Sequence, residues 1–331
     1  MATIEDVARI AGVNASTVSR YLSGKLHVQP ETERKIRAAL RSTQYHPNLL
    51  ARGLRTGATK SLAAVVPDVY QPGIVAIVAG IEGSVKAAGY TLLLSMSGNV
   101  ITGEREAVRA LAARQVDGIV LVGLPRDAGT QDDALELASA RGMPTVLVSR
   151  YFRPSGHVEV CPDQQDGAAQ VTAHMIERGR RAIGLVVGTR EHPDSLAKLG
   201  GYARAIREHG QEFREDLVVE GSYHSETTRS VTRTLLERGV DAILCTSDGM
   251  AVAVLKEVQR AGCKVPEQIA VSGYGGSPET EIVTPTLTTV TVDLEGQGRI
   301  AVDLLIRQLG GEADIPELTV RPVSLKVGES T

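Results

Sequence analysis

Tryptophan is absent from the 331 residues, and only two Phe and eight Tyr are present. Val, Leu, Ile and Ala must therefore fill the core, which argues against an aromatic-rich β-sandwich and for helices packed on buried parallel strands. Cysteine is scarce as well. Cys161, Cys245 and Cys263 are odd in number, widely spaced and without a CxxC pair, so they read as reduced thiols of a cytoplasmic protein and not as a disulfide frame or metal site. No apolar run approaches the ~18–20 residues of a membrane span, and the opening MATIEDVARIAGV has acids where a secretory signal carries a basic flank. Hydrolase, metalloprotease, P-loop and dinucleotide fingerprints are missing, and the seven His are scattered. The expectation is a non-enzyme with no catalytic residues, no metal, no cofactor and no membrane partner.

The length exceeds what one hydrophobic core usually supports, so two or three domains are expected. A net charge of −3 gives no hint of a nucleic-acid partner, but its distribution does. Residues 1–60 hold ten Lys/Arg against four acids, leaving 26 against 35 for the rest. A basic head on an acidic body points to an anionic polymer bound at one end.

In the head, Ile4, Val7, Ala8 and Ala11 lie on one helical stripe, and Thr3 with Asp6 forms a capping signal. Gly12 takes a turn, and Asn14 can cap a second helix in which Val18 and Tyr21 face the first. This is helix-turn-helix spacing, with a purely structural hairpin as the alternative. The outer face of the second helix shows Ala15, Ser16, Thr17, Ser19 and Arg20, short donors and one Arg suited to a major groove. Pro30 opens a third helix, from Glu31 to about Gln44. The segment between Pro47 and Gly57 is helical in pattern but too short to be stable alone.

The run T-I-E-D-V-A-R-I-A-G-V-N-A-S-T-V-S-R at 3–20, Y-H-P-N at 45–48, A-R-G-L at 51–54, G-Y at 273–274 and P-T-L-T-T-V at 285–290 resemble the LacI/GalR family of transcriptional regulators over nearly the whole chain. The resemblance implies that Ala15, Ser16 and Arg20 read bases while Thr3, Thr17, Ser19 and the amide at the start of the second helix hold phosphates, with the capping Asn14 among the DNA contacts and a solvated helix hydroxyl as the alternative for Ser19. It implies that residues 48–55 form a hinge helix on DNA, with Leu54 wedged into the minor groove and Asn48, Ala51, Arg52 and Arg55 beside it. Such a wedge unstacks bases at a cost offset by the wider contact of bent DNA. Gly53 departs from the family's hinge.

From Lys60 onward strands alternate with amphipathic helices. Strands are expected at Ser61–Val66, Thr91–Ser95, Gly118–Val122, Thr145–Val148, 182–187, 241–245, 269–272 and near 318–326. Helices are expected at Ile74–Ala88, Thr102–Arg114, Asp133–Arg141, 166–178, 195–209, 226–238, 249–261 and 294–309. Apolar strands between helices mean doubly wound parallel sheets, here in two lobes around a cleft, an architecture that resembles periplasmic sugar-binding proteins. The expected domains are a helix-turn-helix head at 1–46, a hinge and linker at 47–59, and a two-lobed effector-binding and dimerisation domain at 60–331. Within it the N-lobe takes 60–160 plus 291–320, and the C-lobe 161–290 plus 321–331.

Ligands of such sheets sit outside the strand carboxyl ends. The candidates there are Tyr70, Gln71, Ser149, Arg150, Arg190, Lys198, Tyr223, Ser247 and Gly275. The resemblance adds a contrast: sugar-responsive relatives commonly have Asp at 149, Arg at 198, Asn at 247 and Asp at 275. An acid-poor cleft holding Arg150, Lys198 and Arg190 suits an anionic sugar acid or sugar phosphate, unless the arginines face solvent or pair with Asp163 or Asp194. The chain is expected to be a nucleoid-associated homodimeric regulator, most simply a repressor, binding double-stranded pseudo-palindromic operator DNA under control of a small sugar-like effector. A solute-binding receptor without DNA function is the alternative.

Overall fold

In a computed structural model the chain divides into two units, Met1–Thr59 and Lys60–Thr331. The structure describes residues 2–22, 26–45, 58–69, 72–98, 100–123, 133–150, 156–190, 192–222 and 225–331.

The first unit begins with α1 (Ile4–Ala11). Thr3 accepts from the Asp6 amide and donates its own amide to the Asp6 carboxylate at 3.0 Å, a reciprocal cap. That amide, followed by the Arg9 guanidinium, holds the Asp6 carboxyl down at about 2. Gly12 closes the helix in the left-handed region at φ 67°, a conformation that costs glycine nothing. The chain then enters α2 (Ala15–Leu22) and α3 (Pro30–Thr43). Val7, Ala8, Ala11, Val18, Ile36 and Ala39 form the shared core. Tyr21 ties α2 to α3, donating to Glu33 at 3.0 Å and accepting from Arg37 Nε at 3.0 Å.

The second unit has two six-stranded sheets. The first is served by β1 (Ser61–Val66), α4 (Pro72–Ala87), β2 (Thr91–Met96), α5 (Ile101–Ala113), β3 (Gly118–Val122), α6 (Asp133–Ala140), β4 (Thr145–Val148) and β5 (Val158–Pro162). The second follows with α7 (Gln164–Glu177), β6 (Ile183–Val187), α8 (Pro193–Glu208), a 3-10 turn at Glu215–Leu217, β7 (Val218–Glu220), α9 (Ser225–Glu237), β8 (Ala242–Cys245), α10 (Asp248–Arg260), β9 (Ala270–Gly275), α11 (Glu279–Ile282) and β10 (Thr288–Thr291). The chain then returns to the first sheet for α12 (Leu294–Leu309) and β11 (Leu318–Arg321), and ends in the second with β12 (Ser324–Lys326).

The strand orders are β11-β5-β4-β3-β1-β2 and β12-β10-β9-β8-β6-β7. Helices cover both faces, α4 and α12 opposite α5 and α6 in the first lobe, and α7 and α8 opposite α9 and α10 in the second. Strands buried on both faces explain the unbroken apolar runs; β3 is inaccessible along its whole length, each large aliphatic side chain contributing roughly 1.5–3 kcal/mol.

All strand pairs are parallel except β10–β12, a departure from the all-parallel expectation. The chain leaves β11 at the carboxyl end of the first sheet and enters the second from its carboxyl side, so β12 must run backwards. The crossovers after Pro162, after Thr291 and after Arg321 all leave from strand carboxyl ends. Those ends of both sheets therefore border the gap between the lobes.

Candidate functional site

On α2 the Ser16 and Arg20 side chains are exposed one turn apart, and Asn14 is exposed just ahead of them. Ala15, Thr17 and Ser19 are half-buried, and Ala15 packs against the core, so it can offer a methyl but no hydrogen bond. Thr3 is exposed, yet its hydroxyl is engaged with Asp6, donating at 2.9 Å. Asn48, Ala51, Arg52, Leu54 and Arg55 lie outside the described residues, as do Tyr70, Gln71 and Tyr223 of the cleft set.

The cations expected to line the cleft are differently placed. Arg150 is buried and makes a bidentate ion pair with Glu104 of α5, the second contact at 3.1 Å, while its amide donates to Glu159 at 3.1 Å. Its side chain is 1% exposed and that of Glu104 0%. Arg150 is therefore a structural cation inside the first lobe. Arg190 pairs with Glu215 of the 3-10 turn before β7, and its amide donates to Glu220 at the end of β7 at 3.1 Å. Neither arginine meets Asp163 or Asp194.

Lys198 does reach the expected region. Its Nζ donates to Asp194 Oδ2 at 2.9 Å and to the Thr246 carbonyl at 3.1 Å, and lies 4.4 Å from the centre of the Tyr274 ring. Burial, reinforced by the carboxylates of Asp194, Asp163 and Asp166, pushes the Tyr274 hydroxyl up. The Ser247 hydroxyl accepts from the Met250 amide at 3.3 Å and caps α10. Gly275 has φ 130°, and a Cβ there would sit 3.2 Å from Asp248 Oδ2. Asp248 is buried, accepting from Thr289 Oγ1 at 2.6 Å and the Ser277 amide at 2.7 Å, and burial raises its carboxyl pKa. Ser149 ends β4 at φ 53° and donates to Gln297 Oε1 at 2.9 Å.

Three contributors escaped the sequence reading as site residues. Asp194 carried a signal, an acid in the first turn of a helix after a strand and four residues before Lys198. Gln297 was a polar residue in the apolar stripe of α12. Glu104 had no signal beyond an acid near a helix start. An open groove of about 550 Å³ lined by Met96, Ser97, Val100 and Glu106 lies at the end of β2. Among the described residues no three His, Cys, Asp or Glu side chains gather to share a metal ion, and no helix is long and apolar enough to cross a membrane.

A helix-turn-helix head followed by a two-lobed α/β body whose strand ends border a cleft defines a ligand-controlled class of DNA-binding protein. Residues 3–48 match the family described as bacterial regulatory proteins, lacI family, and residues 172–331 match a periplasmic binding protein-like domain. The chain is 33% identical to the HTH-type transcriptional regulator CelR of Thermobifida fusca, over 99% of this chain and 98% of that protein. It is 29% identical to catabolite control protein A of Priestia megaterium over 99% of both. Among solved structures it resembles a CelR–cellobiose complex, with TM-score 0.74, 31% identity and full coverage of both chains. The lac repressor dimer bound to operator and an anti-inducer shares the fold, with TM-score 0.89 at 24% identity over 99% of this chain and 98% of that one. The chain belongs to the LacI family and is a DNA-binding transcriptional regulator.

Proposed function

We propose that this regulator is a cytoplasmic, nucleoid-associated repressor without enzymatic activity. It acts as a homodimer on a pseudo-palindromic operator and is controlled by a neutral saccharide in the inter-lobe cleft. Ser16, Arg20 and the Ala15 methyl read base edges. Asn14, Thr17 and Ser19 set the register on phosphates, with Thr3 acting mainly through its cap on α1. In the hinge, Leu54 is the minor-groove wedge, flanked by Asn48, Ala51, Arg52 and Arg55. Lys198, Ser149, Ser247 and Gly275 border the effector, and Tyr70, Gln71 and Tyr223, which follow strands in the sequence, complete its contacts.

The observation that carries the effector reading is the matching of cations. Arg150 lies on Glu104, Arg190 on Glu215 and Lys198 on Asp194. A sugar acid or sugar phosphate would need unmatched positive charge to offset its desolvation, so these pairs favour a neutral ligand over the anion that the cation count suggested. The cellobiose held by the relative's structure supports the same class.

Fluorescence anisotropy with DNA from upstream of the protein's own gene tests both halves. The wild type should bind one palindrome specifically, and a neutral mono- or disaccharide should change that affinity. Arg20→Ala should lose about 1–3 kcal/mol and relax preference at one base pair per half-site, because Arg20 is the one side chain on that face long enough for a bidentate contact to guanine. A loss equal for all sequences would place Arg20 on phosphate instead. A sugar acid or phosphate as the sole effective ligand would overturn the neutral reading.

A further inference from the structure

We infer that Gln297 is a positioning residue of the effector site, acting through Ser149, and that the pair selects a ligand able to donate a hydrogen bond, a polyhydroxyl compound. This rests on the saccharide reading of the cleft given above.

Ser149 occupies the end of β4 in the left-handed region, at φ 53°, which non-glycine residues seldom adopt without a local reason. The conformation brings its half-buried side chain over the first turn of α12, where it donates to Gln297 Oε1 at 2.9 Å. A serine hydroxyl has one proton and two lone-pair sites. With the proton committed to Gln297, what Ser149 offers to the gap is an acceptor.

Gln297 is fully buried, and its Nε2 has no hydrogen-bond partner. A buried, unpartnered amide nitrogen is uncommon and costly, and an aliphatic side chain of similar length would suit the same helical position between Gly296 and Gly298. The carboxamide earns no packing advantage; what it supplies is a fixed acceptor for Ser149, with a donor alongside. On the other lobe, Asp194 Oδ1 is likewise buried without a partner, while its second oxygen takes Lys198. That unpartnered oxygen is inaccessible, so the acceptor the Ser149–Gln297 pair offers to a ligand is the half-buried Ser149 hydroxyl. A sugar hydroxyl can donate to it. A carboxylate or phosphate group set against Ser149 would meet lone pairs with lone pairs, so an anionic sugar could use only its hydroxyls there.

The test is titration calorimetry on the full-length protein with D-glucose, cellobiose, D-gluconate and D-glucose 6-phosphate as probes. For the wild type, at least one neutral sugar should bind tenfold or more tightly than either anion. Gln297→Met and Ser149→Ala should each weaken that sugar at least fivefold, and the double variant should be no weaker than the poorer single one, since Gln297 acts through Ser149. A merely structural role for Gln297 would give losses that multiply. If Gln297→Met does not fold, Ser149→Ala and Ser149→Val carry the test, and both must weaken the neutral sugar. Neutral-sugar affinity unchanged by the substitutions, or multiplying losses, would overturn the role of the pair while leaving the saccharide reading intact. An anion as the tightest probe, or a wild type that responds to none of the four, would overturn both.

Discussion

Removing the Arg150 guanidinium would break an ion pair with Glu104 whose two side chains are all but inaccessible to water. Breaking a buried pair from one side is strongly destabilising, typically about 3–5 kcal/mol. Arg150→Met should therefore lower the melting temperature by on the order of ten degrees, whatever effector is present. Glu104→Leu combined with Arg150→Met should recover part of the loss, since apolar replacement of a buried pair is often tolerated. A melting temperature within two or three degrees of wild type for the single variant would mean that the pair does not stabilise the lobe. At this scale the positions of Ser149, Arg150 and Arg190 just after strands were legible in the sequence, but their partners were not. Glu104 is 46 residues from Arg150 and Gln297 is 148 from Ser149, and no periodicity reports a pairing made by sheet order. Lys198 and Asp194, four residues apart on one helix, form the pair that spacing alone could have found.

The helices α4 and α12 approach until backbone meets backbone. A Cβ at Gly298 would overlap the Ile77 carbonyl oxygen, and one at Gly80 the carbonyl of Glu295. Gly298→Ala must therefore push the two helices apart or distort α12. Overpacking of this kind costs about 1–3 kcal/mol, which a lowered urea midpoint at unchanged slope would register. Because α12 also carries Gln297, the same variant should weaken saccharide binding. A midpoint equal to wild type would show that the helix pair has slack. Helix α12 and strands β1, β3 and β4 were read from the sequence with their observed bounds, since long amphipathic or unbroken apolar segments leave little ambiguity. Strands β5 and β10 were not anticipated. Val158–Pro162 alternates around a glutamate and ends in proline, and T-T-V-T at 288–291 is short and hydroxyl-rich. Strand β9 runs three residues beyond its expected end, through Gly273 to Gly275, whose φ of 130° is a conformation that favours glycine. Several helices begin a residue or two early, where Pro72 and Pro193 occupy the first turn, a position proline favours.

A pseudo-palindromic operator requires two heads related by a two-fold axis, so the molecule must present a self-complementary surface. Scattered apolar residues on a surface mean little, but a contiguous strip on an open sheet edge does not. Strand β2 ends the first sheet, and Leu94 and Met96 emerge from the face on which Leu92 packs against the core shared with α4. Val75 of α4 is exposed on that side, and Val100 follows β2. This strip is the proposed dimer surface. Met96→Lys sets two like charges near the two-fold axis and forces their desolvation, so sedimentation should give the mass of one chain, 35.1 kDa, at concentrations where the wild type has twice that. Losing the second head removes an effective-concentration gain of 10²–10⁴. Affinity for the full palindrome should fall at least a hundredfold, while binding to an isolated half-site stays near wild type because no residue of the head has changed. A Met96→Lys protein that keeps both its dimer mass and its palindrome affinity would move the interface elsewhere. Ile282, 80% exposed at the end of α11, would then be the next residue to charge.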